Sequence, residues 1–142
     1  MKLLIINGAN LNMLGKRDKT LYGSLTLKEI NAAVEAYAQE KGIKTEFFQS
    51  NCEGEIIDAL HNAKADGIIL NAGAYSHYSY AIRDAVECAP AAVEVHLSDI
   101  TKREDFRKIR VLEGVVKACF MGKKEKSYFE AVDYFADRLK NQ

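Results

Sequence analysis

The sequence LLII at residues 3–6 decides the fold class of this chain. Four consecutive apolar residues with no polar residue between them are typical of a β-strand that is buried on both faces. Strands of this kind lie in parallel sheets, because helices then cover both faces of the sheet. The run ends at Asn7, so polar residues begin where the predicted strand leaves the sheet.

Four further short runs suit strands, and stretches with helical periodicity separate them. The predicted strands are 3–6, 44–49, 67–71, 91–98 and 115–120, and the predicted helices are 27–42, 56–63, 80–86 and 127–139. The first helix has a capping box at Thr26 and Glu29, and Gly42 suits a left-handed helix end. Alternating strands and helices indicate an α/β fold with helices on both faces of a parallel sheet. For five strands the commonest wound order is 2-1-3-4-5, so we expect a flavodoxin-like, doubly wound five-stranded sheet.

The composition excludes several classes of function. The chain has 142 residues, and its 20 basic residues balance its 20 acidic ones. This length fits one domain with one core, so we expect residues 1–142 to form a single domain. A zero net charge gives no basic surface for nucleic acid or an anionic membrane, so we expect neither partner. It also permits self-association.

The N-terminus and the cysteines predict a cytoplasmic protein. The apolar run at the N-terminus is too short for a signal peptide, and no run in the chain approaches the ~18 residues of a membrane helix. Cys52, Cys88 and Cys119 are widely spaced and form no C-x-x-C pair. This pattern excludes a disulfide framework, and we expect the three cysteines to be small buried residues.

Polar residues follow the first four predicted strands. The exits are NGANLN (7–12), QSN (49–51), NAGAYSHYS (71–79) and HLSDI (96–100). For any one exit, the preference of Asn and Ser for turns and helix caps is an alternative explanation. Ligands of wound parallel sheets bind outside the carboxyl ends of the strands, so the four exits together predict a polar site on that rim.

The loop after the first strand is unusually long. It runs from Asn7 to Ser24, whereas about 2–6 residues are usual for this kind of connection. It carries Lys16, Arg17 and Tyr22, with glycines at 15 and 23 as possible hinges. Long loops of this kind are often binding loops, so we expect the segment at about 10–24 to act as a lid.

No phosphate-binding or metal-binding motif is present in the sequence. The first two glycines are separated by six residues where a phosphate loop has four, and Arg17 stands where such a loop has Ser or Thr. His61, His77 and His96 lack the spacing of metal ligands, so we predict no metal and no cofactor. Amide donors with Tyr, Arg and two His suit proton transfer on a small anionic substrate.

Four blocks of the sequence resemble the type II 3-dehydroquinate dehydratases. They are NGANLNMLGKRDKTLYGSLTL (7–27), QSNCEGEIIDALH (49–61), ILNAGAYSHYSYAIRDA (69–85) and VEVHLSDITKREDFR (93–107), and they occur in the family's order. The resemblance implies a cofactor-free hydro-lyase that eliminates water from 3-dehydroquinate through an enolate to give 3-dehydroshikimate. This reaction belongs to the shikimate pathway of aromatic amino acid biosynthesis.

The resemblance also implies a role for individual residues. The implied catalytic residues are Tyr22 as base, His96 as general acid, Arg17 on the lid, Asn10 beside a catalytic water and Glu94 as support for His96. The implied substrate-binding residues are Asn71, His77, Asp84, Leu97, Ser98 and Arg107. Asp84 matches a residue that reaches into the neighbouring subunit's site. Because family members assemble as dodecamers built from trimers, the resemblance implies a homo-oligomer of that kind.

The implied chemistry explains why these residue types are needed. The substrate is a β-hydroxy ketone, so elimination begins with removal of a proton next to the carbonyl. An ordinary tyrosine has a pKa of about 10, so forming its anion at pH 7 costs about 4 kcal/mol. A guanidinium about 4 Å away supplies roughly that energy at an effective dielectric near 20, and Arg17 is the candidate. Asn10 then stabilises the enolate, and His96 protonates the departing hydroxide.

The sequence departs from the family's pattern at several positions. Asp99 replaces the usual Asn, and a carboxylate there opposes an anionic substrate unless Lys102 or Arg103 pairs with it. The other departures are Arg110 for a usual Ser, Glu113 for a small residue, and Lys117, Lys123 and Lys124 in a usually glycine-rich strand end. These changes leave open a catalytically weakened relative that binds a quinate-like acid. A flavodoxin-like nucleotide binder is a third alternative.

Overall fold

The computed structural model describes residues 1–141, and its centre is one sheet of five parallel strands in the order β2-β1-β3-β4-β5. The strands are β1 (Lys2–Asn7), β2 (Lys44–Gln49), β3 (Gly67–Asn71), β4 (Ala92–His96) and β5 (Cys119–Met121). The α-helices are α1 (Lys19–Tyr22), α2 (Leu27–Gln39), α3 (Glu53–His61), α4 (Tyr80–Glu87) and α5 (Glu125–Lys140). The predicted flavodoxin-like fold and strand order are confirmed.

Apolar clusters cover both faces of the sheet. Successive side chains of a strand point to opposite faces, so Ile5 and Ile6 of β1 enter different clusters. Residues of α2 and α5 cover the first face, and residues of α3 and α4 cover the second. Every residue of β3 is buried, as expected for a central strand between two helical layers. Among residues 1–141, no helix combines the length and apolar character needed to cross a membrane.

The first long helix begins where its sequence predicts. The Thr26 hydroxyl accepts a hydrogen bond from the Glu29 amide, and the Glu29 carboxylate accepts one from the Thr26 amide. This capping box satisfies amide donors that have no partner inside the helix. The helix ends at Gln39, and Gly42 takes its positive φ of 72° in the turn that follows.

The fifth strand lies further along the chain than the apolar pattern indicates. The predicted range of 115–120 is wrong at its start, since β5 comprises only Cys119–Met121. The amides of Val115 and Val116 both donate to the Leu112 carbonyl, which places them in a turn before the strand. Both valines pack against the cluster beneath α3 and α4, and this packing explains their apolar character.

The prediction that the three cysteines are buried is wrong. Cys52 and Cys88 are exposed and Cys119 is half-buried. Cys52 precedes α3 and Cys88 follows α4, so both lie at helix ends near the surface.

The exits of β1 and β3 approach each other closely. The Gly8 amide donates to the Asn71 carbonyl at 2.7 Å, and a Cβ on Gly8 would lie 2.5 Å from the Ala72 carbonyl oxygen. The loop that follows Gly8 is more ordered than the sequence indicates. It contains a short 3₁₀ helix (Leu11–Met13) and the single turn α1, and it buries Leu11 and Leu14 in the core.

Candidate active site

A cleft lies at the carboxyl ends of β1, β3 and β4, and its empty space, open solvent included, is about 510 Å³. Nine predicted site residues line it, namely Asn10, Arg17, Tyr22, Asn71, His77, His96, Leu97, Ser98 and Arg107. The other two predicted residues lie elsewhere: Glu94 is buried behind His96, and Asp84 is exposed on α4, outside the cleft.

Only three of the four polar exits line the cleft. The exit of β2 supports the first loop instead, because Asn51 accepts a hydrogen bond from the Asn10 amide at 2.9 Å. Gln49 holds this contact by donating to Asn51 and to the Gly8 carbonyl. Asn10 has a positive φ of 70°, a backbone conformation that Asn tolerates better than most residues.

Arg17 and Tyr22 form a pair at the mouth of the cleft. Arg17 Nη2 donates to the Tyr22 hydroxyl oxygen at 2.8 Å, and the guanidinium carbon lies 3.9 Å from the ring centroid. Asp18 caps α1, which ends at Tyr22, so one helical turn joins the two partners. A charged donor at a phenol oxygen stabilises the phenolate more than the phenol.

Arg103 is a second arginine beside Tyr22, and the sequence did not single it out as a site residue. Its guanidinium carbon lies 5.1 Å from the Tyr22 ring centroid, and its Nη1 donates to Ser98 Oγ at 3.2 Å. The side chain is 11% exposed, and its Nε is buried, makes no hydrogen bond and lies 3.6 Å from Glu104 Oε1. One sequence signal could have indicated it as a site residue: Arg103 lies four residues before Arg107, in the same sequence block.

Asp99 does not oppose an anion in the cleft. Its carboxylate accepts hydrogen bonds from the Thr101 amide and hydroxyl, and the hydroxyl bond is the main cause that lowers its pKa. Of the two predicted partners, Lys102 lies nearer, with its Nζ 3.9 Å from the carboxylate. Arg103 is therefore available to the cleft.

The lining of the cleft is positively charged. Arg17, Arg103 and Arg107 line it, and no acidic residue among residues 1–141 does. Arg107 is partly neutralised by Glu104, which accepts from its Nε at 3.0 Å. This arrangement favours a small anion although the chain as a whole is neutral.

Glu94 and His96 form a buried pair on β4. Being two residues apart on a strand, they project from the same face of the sheet. His96 Nε2 lies 2.5 Å from Glu94 Oε2, and Glu94 is fully buried. Burial alone would raise the pKa of Glu94, but hydrogen bonds from His96 and Arg110 outweigh it and hold that pKa below its usual value. Since a carboxylate only accepts hydrogen bonds, Nε2 of His96 carries the proton, and Nδ1 remains for the cleft.

His77 lies beside His96, and a different ring nitrogen carries its proton. The two rings stack with centroids 6.2 Å apart. His77 Nδ1 is 2.8 Å from the Ile109 carbonyl oxygen and must donate to it, because a carbonyl has no proton. Burial lowers the pKa of His77, which keeps the ring neutral at pH 7 and leaves Nε2 as an acceptor.

A buried tyrosine ties the exits of β1 and β3 together beneath the cleft. Asn71 Nδ2 donates to the Tyr128 hydroxyl at 2.9 Å, and that hydroxyl donates to Asn7 Oδ1. Asn71 Oδ1 accepts from the Gly73 amide. Burial raises the pKa of Tyr128, so it stays a neutral donor. Its place on the apolar face of α5 gave no sign of this role.

The comparisons with known proteins identify the family. The family model described as dehydroquinase class II matches residues 1–136. The chain belongs to the class II dehydroquinases. A 3-dehydroquinate dehydratase of Thermotoga neapolitana is 48% identical over 135 residues, which cover 94% of this chain and 93% of that protein. The family resemblance of the four sequence blocks is thus confirmed.

Solved structures of class II dehydroquinases have the same fold. The type II dehydroquinase from Butyrivibrio crossotus is 44% identical, with a TM-score of 0.89 over 94% of this chain and 96% of that one. The type II dehydroquinase from Propionibacterium acnes is 33% identical, with a TM-score of 0.92 over 96% of both chains.

The departures from the dehydroquinase pattern leave the cleft itself intact. None of the residues from 110 to 124 lines it in the described chain. Arg110 contacts Glu94 behind the cleft, and the Lys124 amide donates to the Leu97 carbonyl at 3.0 Å. A catalytically weakened relative is therefore not favoured over a working dehydroquinase.

Glu94, His96 and Cys119 bring potential metal-ligand atoms within 4.8 Å of one another. Both oxygens of Glu94 already accept hydrogen bonds, from His96 and from Arg110. Burial is the main cause that raises the pKa of the Cys119 thiol to about 12, so its thiolate is scarce at pH 7. In this dehydroquinase the cluster is organised as an ion pair beside a neutral thiol.

Proposed function

We propose that this chain is a type II 3-dehydroquinate dehydratase, a hydro-lyase that converts 3-dehydroquinate to 3-dehydroshikimate in the shikimate pathway. Membership of the class II dehydroquinases supports the activity, as does the name of the relative from Thermotoga neapolitana. At the site, the observation that carries the proposal is the 2.8 Å contact from Arg17 to Tyr22 in a cleft that also holds His96.

Tyr22 is the base that starts the reaction. As a phenolate held by Arg17, with Arg103 near its ring, it removes the proton next to the substrate carbonyl. The electron pair of the broken C–H bond moves to the carbonyl oxygen and forms an enolate. Asn10, which lines the cleft on the first loop, helps to stabilise that oxygen together with an ordered water.

His96 completes the elimination as general acid. The enolate re-forms its carbonyl, the new carbon–carbon double bond forms, and the carbon–oxygen bond to the leaving hydroxyl breaks. Hydroxide is a poor leaving group, so His96 gives it a proton and water departs. Glu94 orients the ring through Nε2, so the proton that His96 gives leaves from Nδ1, on the cleft side.

The remaining cleft residues bind the substrate. Ser98 and the backbone at Leu97 bind the carboxylate, and Arg107, Asn71 and His77 contact its hydroxyl groups. The support for this proposal is that all five residues line the cleft, as does Arg103, which donates to Ser98. The protein needs no positive net charge to attract the anion, because its arginines are concentrated at this site.

We propose a lid shorter than the segment at about 10–24. Leu11 and Leu14 are buried in the core, which anchors the first third of that segment. Gly15 and Gly23 both have positive φ values and bound the part that carries Arg17 and Tyr22. We therefore assign the lid of this single catalytic domain to residues 15–23.

The proposed assembly is a dodecamer built from trimers, in which Asp84 enters the neighbouring subunit's cleft. Two observations support a carboxylate arriving from outside. Arg103 Nε is buried and makes no hydrogen bond, with Glu104 Oε1 3.6 Å away, and three arginines line the cleft with no acidic residue of the described chain in that lining. Asp84 itself is exposed on α4, as a residue that serves a neighbour must be.

The proposed location is the cytoplasm. Cys52 and Cys88 are free and exposed, which suits a reducing compartment. Cell fractionation with detection of the dehydratase activity tests this location.

A continuous absorbance assay for the conjugated enone of 3-dehydroshikimate tests the proposed activity. The purified chain is expected to turn over 3-dehydroquinate without added metal or cofactor. Intact binding of substrate without turnover at millimolar concentration contradicts the proposal and favours the weakened relative. A thermal shift with FMN or ATP favours the nucleotide binder instead.

A further inference from the structure

Arg110 lies behind the candidate general acid. It follows the 3₁₀ helix Asp105–Lys108, and its Nε and Nη2 donate to Glu94 Oε1 at 3.1 and 2.7 Å. Glu94 Oε2 lies 2.5 Å from His96 Nε2. Each carboxylate oxygen therefore has its own partner, and the three side chains form a line that ends at the cleft.

The burial of this line makes each contact important. Glu94 is fully buried, and the side chain of Arg110 is 18% exposed. A buried carboxylate stays ionised only where opposite charge and hydrogen bonds compensate for the lost water. Among residues 1–141, Arg110 is the permanently charged group bonded to Glu94, and the neighbouring Cys119 thiol is neutral.

We propose that Arg110 is a positioning residue for the elimination, an inference that rests on the proposed function. Two donors on Oε1 fix the plane of the Glu94 carboxylate, and Oε2 then fixes the His96 ring with Nδ1 toward the substrate. Arg110 itself does not line the cleft, so it acts on the substrate only through these two residues.

Arg83 provides a matched control for a simpler role. Its Nη1 donates to the carbonyls of Val111 and Glu113 at 2.6 and 2.7 Å, so it anchors the segment that also carries Arg110. If Arg110 only anchored this segment, removing either arginine would have the same effect. Arg83 makes no hydrogen bond to Glu94 or His96 in the described chain.

The experiment compares Arg110→Met, Arg110→Lys and Arg83→Met with the wild-type enzyme. We expect Arg110→Met to lower kcat about 10- to 100-fold, as for a small misplacement of a reacting group, and to leave KM nearly unchanged. Arg110→Lys keeps the positive charge, so its kcat is expected to lie between those of Arg110→Met and the wild-type enzyme. Arg83→Met is expected to keep the wild-type kcat. In NMR spectra, the downfield signal of the proton on His96 Nε2 is assigned by its absence from the His96→Gln variant. This signal is expected to disappear in Arg110→Met and to remain in the other two variants.

Each outcome separates the inference from the proposed function. An inactive wild-type enzyme overturns the proposed function, whereas the NMR comparison still tests the role of Arg110. Unchanged kcat or an unchanged His96 signal in Arg110→Met overturns the inference, as does equal damage in Arg83→Met. If Arg110→Met does not fold, Arg110→Lys and Arg83→Lys decide: a lower kcat with a shifted signal in Arg110→Lys alone supports the inference, and any other result contradicts it.

Discussion

Single residues of the cleft act through their neighbours. The Tyr22 oxygen accepts a charged hydrogen bond from Arg17, and Glu94 fixes which nitrogen of His96 carries the proton. Tyrosine and histidine are common residues, and what distinguishes these two is the charge placed within hydrogen-bond distance. Substitutions that remove one atom of such a pair are therefore the most informative.

Tyr22→Phe removes the oxygen and keeps the ring on which Arg17 and Arg103 lie. Because general bases contribute about 10²- to 10⁴-fold, we expect kcat to fall by at least that factor while substrate binding stays nearly intact. The measurement combines the absorbance assay with calorimetric binding. Tyr134→Phe on α5, outside the cleft lining, is the matched control and keeps wild-type activity. Retained turnover in Tyr22→Phe would remove Tyr22 as the base.

Tyr128→Phe tests the buried link between the exits of β1 and β3. It leaves Asn71 Nδ2 without its acceptor and Asn7 Oδ1 without its donor. Unsatisfied buried polar groups cost about 1–3 kcal/mol, so we expect the free energy of unfolding to fall by that amount. Denaturant unfolding at equal protein concentration measures it, with the exposed Tyr80→Phe as control. Equal stability of the two variants contradicts the structural role of this hydroxyl.

The sequence predicts residues of the cleft when they end a strand or closely follow one. His96 and Ser98 are examples, because strand direction alone brings the end of β4 to the same rim as the other exits. Arg103 and Tyr128 escape such reasoning for different reasons. An arginine side chain is long enough to point several ways from one backbone position, and Tyr128 reaches Asn71 only through a contact between residues 57 positions apart.

At the scale of elements, the entry into α5 carries the main backbone strain. Lys124 has a φ of 55° and a ψ of −132°, a region that favours glycine. The same residue donates its amide to the Leu97 carbonyl at 3.0 Å, and its side chain lies against Gly23 of the lid. The connection from β5 to α5 thus contacts both the exit of β4 and the lid. Local apolar pattern does not reveal this geometry, nor does it distinguish the three residues of β5 from the valines of the preceding turn.

Lys124→Gly is expected to raise stability. Relief of strain is worth about 1–3 kcal/mol, and the greater freedom of glycine in the unfolded chain offsets about 0.4–1 kcal/mol of it. We therefore expect a net gain of about 1 kcal/mol, measured as a higher melting temperature. Lys117→Gly, at a position without positive φ, is expected to lower stability. A lower melting temperature for Lys124→Gly contradicts the interpretation that the backbone at Lys124 is strained.

At the scale of the whole molecule, the net charge is zero, but positive charges are concentrated at the cleft. The chain has as many basic as acidic residues, yet the cleft holds three arginines and no acidic residue from the described part of its own chain. An excess of positive charge favours an anionic substrate, and it equally favours a carboxylate supplied by another subunit. Binding of an anionic substrate and binding of a neighbour's carboxylate both follow from this excess of positive charge. A carboxylate from a neighbour also requires an assembly with a cleft at each subunit interface.

Subunit mixing tests whether Asp84 serves the neighbouring site. Asp84→Asn alone is expected to lower kcat about 10- to 100-fold, as for a lost hydrogen bond to a charged group, without changing the mass of the assembly in native mass spectrometry. Mixed with inactive Tyr22→Phe after dissociation and reassembly, it is expected to regain activity. In a cyclic trimer, about one quarter of the interfaces then join an intact Tyr22 to an intact Asp84. If Asp84 acts in its own subunit, the Tyr22→Phe chains stay inactive and the mixture gains nothing, and a monomeric wild-type protein contradicts the shared site outright.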